Sequence, residues 1–349
     1  AARSIAICAR VLHYYTSKNQ TSSYWCRRCA TAHSMLSSSG LAAPDRPVIP
    51  RLHEQRLEHH LRCVSSSALD DDARQPVCLV IGAGAGLGQA VARKFAREGL
   101  CVCVVRRGAG QFVWTLPEKN AGADDATAHT AASRVRDDFE SFVEDIRSEG
   151  GRAEAFIADG SSPDQLAKLI GSVERDVGPI ACAVYNVGAQ MGARTLQATS
   201  YADFQNALSL GAVGAFALAK EVTPFMLRRR RGCLIFTSST AAFRGNAGQH
   251  AHTAAMGARR NLCQSLNAEL AAGGVHVCHV NIDGTVDAPE SIGKIVPEYY
   301  AQLKAQGNDG LLQPADVADT YYHLYSQPRN AWTLELDLRP FSEKAWFNS

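Results

Sequence analysis

The pattern of apolar and polar positions divides the chain near residue 76. Before that point no period is sustained, although helical pieces are expected over 3–15 and 51–63. From Val77 onward apolar runs and amphipathic stretches alternate. "VCLVIGAGAGLGQAVARKFAREG" reads as a buried strand, a glycine turn and a helix with one apolar face. "LCVCVVRR" is a second strand, "SRVRDDFESFVEDIRSEGG" a charged helix stopped by glycines, and "RAEAFIADG" a third strand. There follow a helix over 163–176, a strand over 179–186, long helices across 201–230, a strand over 232–237, a helix over 249–272 and a strand over 274–281. Strands alternating with helices of this length predict an α/β fold, a doubly wound parallel sheet covered on both faces. One such domain is expected over 76–349, behind an extension over 1–75. Two stretches exceed the minimal plan: 108–133 stands where a short turn would do, and 284–312 follows the sixth strand.

Composition narrows the class. The net charge of +2 makes no demand for nucleic acid. The run "RRRR" at 228–231 is expected to close a helix C-terminus, where cations complement the helix dipole. No apolar run reads as long enough for a membrane span. There are 11 cysteines, an odd number, and Cys78, Cys101, Cys103, Cys233 and Cys278 lie inside apolar runs. That usage favours a reducing compartment, with the thiols acting as small hydrophobes.

The extension differs. Ala1 to Pro44 holds no Asp or Glu, but Arg3, Arg10, Lys18, Arg27, Arg28 and many serines. Such a segment resembles an organelle transit sequence, so a mitochondrial location is expected, with a plastid as the alternative. Tyr14, Tyr15, Tyr24 and Trp25, and Phe112, Val113 and Trp114 of the insertion, need a surface to cover. Both segments are therefore expected to dock on protein subunits of a larger assembly. Cys26, Cys29, His60 and Cys63 form Cys-x2-Cys and His-x2-Cys pairs, a possible tetrahedral zinc set.

The chemistry concentrates in the glycine turn. In "GAGAGLG", Gly82, Gly84, Gly86, Leu87 and Gly88 lie between a strand and a helix. There backbone can approach a pyrophosphate seated on the helix N-terminus. Where the second strand ends, Arg106 and Arg107 replace the acidic residue that would bind a ribose 2′-hydroxyl. Arginine suits a 2′-phosphate, so the expected cofactor is NADP(H).

Residues 77–282 resemble the short-chain dehydrogenase/reductase family. The family's T-G-x-x-x-G-x-G is present as Ile81 to Gly88, with Ile for Thr. Its adenine-contacting Asp matches Asp159, and its N-N-A-G matches "YNVG", keeping Asn186 and Gly188. A serine strand, the helix "QHAHTAAMGARRNLCQSLNAEL" and "VHVCHVNIDG" follow in order. The resemblance implies a Rossmann-type sheet of order 3-2-1-4-5-6-7 and a catalytic Ser, Tyr, Lys and Asn. In the family the Lys lowers the Tyr pKa and holds the nicotinamide ribose, while the Asn orders a water relay. Here Ser239 holds the Ser position. His252 replaces the Tyr, Met256 the Lys and Gly211 the Asn. Asp283-Gly284 replaces the family's P-G, and Ala288 its downstream Thr.

Methionine has no charge and offers only a weak acceptor. Histidine can donate a proton near neutral pH. Three functions are therefore weighed. The first is an NADP(H)-binding protein without ordinary dehydrogenase catalysis, an accessory subunit of a mitochondrial complex. The second is an NADP-dependent carbonyl reductase using Ser239 and His252. The third is a binding protein that senses NADP(H).

Overall fold

In the computed structural model the residues described are 74–107, 139–189 and 195–344, all within the unit Leu69–Ser349. The expected helices at 3–15 and 51–63, the zinc set Cys26, Cys29, His60 and Cys63, and the 108–133 insertion lie outside them.

The apolar runs become the middle of a sheet. β1 (Val77–Ile81) and β4 (Ile180–Tyr185) are buried along their whole length. β2 (Cys101–Arg106) is buried up to its final arginine. Unbroken apolar strands are what a sheet covered on both faces requires. β3 (Arg152–Ile157) forms one edge and alternates between covered and exposed residues. β5 (Gly232–Ser239), β6 (Val275–Ile282) and β7 (Glu335–Leu338) complete the sheet. All pairs are parallel, in the order β3-β2-β1-β4-β5-β6-β7.

Local chemistry sets the helix ends. α1 (Leu87–Arg97) starts at the glycine turn. α2 (Pro163–Ser172) has Ser162 as N-cap and proline in its first turn, where the missing N–H costs nothing. α3 (Tyr201–Leu208) opens with a capping box of Ser200 and Asp203. A π turn over Ser209–Val213 then joins it to α4 (Gly214–Arg229). α5 (His250–Leu270) carries the positions of the family Tyr and Lys. α6 (Ile292–Ile295) and α7 (Pro297–Lys304) occupy the excursion after β6, whose ends meet where Val286 pairs with Leu312. α8 (Pro314–Ser326) packs with α1 over one sheet face through Val91, Phe95, Tyr321 and Leu324. α4 and α5 pack on β4, β5 and β6.

Two expectations change in detail. The arginine run does close a helix, but Arg229 also pairs with buried Glu174 at 2.7 and 2.9 Å and donates to the Ile180 carbonyl at 3.0 Å. The absence of a span-length apolar run is corrected. Tyr201–Arg229 forms a continuous 29-residue helical run with a window of mean hydropathy 1.3, long and apolar enough to cross a membrane. Sequence reading missed it by treating the region as several helices. Its apolar residues Leu218, Val222 and Met226 are fully buried.

Candidate active site

The glycine turn is shaped by close packing. A Cβ on Gly88 would lie 2.5 Å from the Gly82 carbonyl oxygen and 2.7 Å from Ala83 Cα. Only glycine lets α1 start so near its own strand. Gly82 takes φ +91°, a Cβ on Gly86 would meet Ala288, and Gly84 faces open space. Gly86 caps α1 without a side-chain acceptor, and the first turn, with Leu87, holds no acidic residue. The helix N-terminus therefore keeps its positive end for an anion.

Each predicted nucleotide residue lies at a strand's carboxyl end. Arg106 ends β2 with its guanidinium over the Phe139 ring, 5.5 Å from the centroid, and Arg107 follows it. Asp159 follows β3, and its Oδ1 accepts from the Ser161 amide at 2.9 Å and hydroxyl at 2.7 Å. Asn186 follows β4 and donates from Nδ2 to the Gly82 carbonyl at 3.0 Å. It thus staples the turn in place. Gly188, two residues on, is exposed. Sheet order reverses between β1 and β4, and the crevice at such a switch point is where open α/β sheets bind ligands.

The catalytic positions come together differently. Ser239 ends β5, and its Oγ lies 3.0 Å from Nε2 of His252 on the first turn of α5. His252 Nδ1 is buried without a hydrogen-bond partner. Burial pushes the His252 pKa below its ordinary 6.5, and repulsion from Arg259 adds to the shift. The nearby Ala189 backbone opposes it only in part. Burial and the Arg259 charge both favour the neutral form of the His252 imidazole.

One turn along, Met256 is 2% exposed and clustered with Ala189, Ala207, Ala241, Ala251 and Ala255. Ser238 Oγ lies 3.8 Å from its sulfur. A Cβ on Gly211 would fall 2.5 Å from Ala255 Cβ and 3.2 Å from Met256 Cε. Past β6, buried Asp283 is bonded to Arg339 at 2.9 Å, Gly284 has φ +148°, and Ala288 is buried.

Sequence reading missed Arg259. It is 1% exposed, three residues beyond Met256. Its Nε donates to the Gly211 carbonyl at 2.7 Å and Nη1 to Thr237 at 2.5 Å. Its Nη2 donates to Val187 at 2.8 Å and Leu210 at 3.1 Å. The guanidinium also lies 4.9 Å from the centre of the Tyr185 ring. The available signal was a helical offset: Arg259 is seven residues from His252, on the same face.

A parallel sheet with its anion-ready turn at the switch point defines the Rossmann-type class. The match of a short chain dehydrogenase family model to residues 119–290 goes further. A relative, 2,3-dihydro-2,3-dihydroxybenzoate dehydrogenase of Bacillus subtilis, is 24% identical over 72% of this chain and 88% of its own length. A solved short-chain dehydrogenase from Rhodopseudomonas palustris superposes with TM-score 0.58 at 26% identity, over 76% of this chain and 99% of its own. A metagenomic short-chain oxidoreductase in complex with NADP gives TM-score 0.58 at 22% identity, over 76% and 97%. The chain belongs to the short-chain dehydrogenase/reductase family.

Proposed function

We propose that this protein binds NADP(H) at the β1–α1 turn, does not carry out ordinary dehydrogenase chemistry, and serves as an accessory subunit in a mitochondrial assembly. The observation that carries the reading is Met256. A neutral thioether packed among alanines stands where the family's reaction needs a cation on the nicotinamide ribose. A cation one turn further along α5, Arg259, is engaged by four backbone carbonyls.

The adenosine half of the site is better kept. Gly84 opens to space, the α1 N-terminus offers its positive end, and Arg106 and Arg107 suit a 2′-phosphate. When bound, the cofactor would supply hydride chemistry, while the residues here bind and orient its adenosine end. The accessory role rests on the acid-free N-terminal segment and the apolar insertion.

Calorimetric titration with NADPH and NADH tests binding. NADPH is expected to bind more tightly, and Arg106→Ala with Arg107→Ala should remove the difference. Turnover over a panel of ketones and secondary alcohols should stay at background. Co-purification of the native chain tests the assembly: recovery as a single free species would reject it.

One observation favours a second reading. The Ser239–His252 contact of 3.0 Å is the geometry a histidine-based reductase would need. Its proton donor would be imidazolium, so activity would rise as pH falls through the depressed His252 pKa. Wild-type turnover that disappears in His252→Ala would establish it.

A further inference from the structure

A second cluster lies beneath α8, at the opposite end of the strands from the glycine turn. Parallel register places Cys78 of β1 level with Cys182 of β4, Cys182 with Cys233 of β5, and Cys233 with His276 of β6. Cys278 shares the His276 face two residues along. All four thiols are buried and free. Cys233, His276 and Cys278 each present one ligand atom, and these three atoms lie within 4.8 Å of one another.

The imidazole is held in one state. His276 Nε2 lies 2.8 Å from the Thr333 carbonyl oxygen, and a carbonyl only accepts, so Nε2 carries the proton. Nδ1 is then an unprotonated donor atom, 4.0 Å from Cys233 Sγ. Trp332 stacks on the ring at 4.9 Å with planes 5° apart. Metal-bound histidines are commonly fixed in this manner, with the second nitrogen donating to a carbonyl. Cys278 Sγ lies 3.0 Å from Nε2 of the same ring.

We propose that Cys233, His276 and Cys278 bind one Cu(I) ion. Two sulfurs and an imidazole without carboxylate are soft donors, which select thiophilic ions. Among the described residues the group has three members, one fewer than structural zinc takes. Binding releases both thiol protons to solvent and involves no change of oxidation state.

The full reduced chain, titrated anaerobically with Cu(I) against bicinchoninate, tests this. Cys233→Ser with Cys278→Ser should take up one equivalent fewer than wild type. Cys26→Ser with Cys29→Ser should still show the Cys233-dependent equivalent. His276→Gln should hold that ion about tenfold more weakly or worse. Equal uptake by wild type and the Cys233/Cys278 variant overturns the proposal, as does a competing Zn(II) that displaces Cu(I). Where the Cys233/Cys278 variant does not fold, X-ray absorption of the loaded Cys26→Ser, Cys29→Ser chain decides. Sulfur with one nitrogen in the copper shell supports the site, and a shell without nitrogen rejects it.

Discussion

Replacing Arg259 by leucine should destabilise the domain by about 3–5 kcal/mol, a value that follows from opposing terms. The guanidinium satisfies carbonyls of Val187, Leu210, Gly211 and Thr237, from three separate segments. Hydrogen bonds to a charged group contribute about 1.5–3 kcal/mol each, so four give about 6–12 kcal/mol gross. Burial of the cation, with no carboxylate among those partners, offsets several kcal/mol of this. Leucine removes the charge together with its four donated hydrogen bonds, and the Leu210 carbonyl keeps the Tyr185 hydroxyl at 2.7 Å. Arg259→Lys should recover less than half of the loss, because one ammonium cannot span a planar four-carbonyl cradle. Urea unfolding followed by circular dichroism measures the effect, provided the slope is unchanged. A leucine variant within about 1 kcal/mol of wild type would show that the guanidinium does not hold these segments together.

Three further outcomes are expected. Burial lowers the His279 pKa to about 4, so the unfolded chain takes up this proton first as pH falls below 6.5. Its contribution is full above pH 6.5 and lost on the way down to pH 4, about 2 kcal/mol by pH 5; His279→Gln should show a correspondingly flatter pH profile of unfolding midpoints. Arg229→Ala strands the buried Glu174 carboxylate and should cost about 3–5 kcal/mol, whereas replacing both residues by leucine should cost far less, as a double-mutant cycle would show. His252→Tyr with Met256→Lys should restore only trace turnover in a spectrophotometric NADPH assay, because Gly211 cannot supply the missing amide; turnover typical of an active reductase would reject that role for the position.

The strands were legible because β1, β2 and β4 are unbroken apolar runs, and the first helices because a glycine turn opens α1 and Ser162 and Ser200 cap α2 and α3. Sheet order came from the family resemblance, since periodicity does not say which strand lies beside which. The glycine turn and the substituted catalytic positions were legible as motifs. Arg259 was not, because an arginine on a helix ordinarily extends to water. Its burial depends on three segments converging in space. The thiol row was hidden for a similar reason: each cysteine fits its own strand as a small hydrophobe, and only the register aligns them. The length of the Tyr201–Arg229 helix escaped because a π turn carries it across an apparent boundary.

Gly211 sets how closely α5 can pack. With no side chain there, α5 lies close enough that even a Cβ would press on Ala255 and Met256. An asparagine regained at 211 would first meet an overpacked interface, typically a cost of about 1–3 kcal/mol. Lysine regained at 256 would instead put a charge into an alanine-lined pocket. Both changes add bulk to the same packed contact, so neither makes room for the other. The close seating of α5 at residue 211 therefore opposes an asparagine there and a lysine at 256 alike.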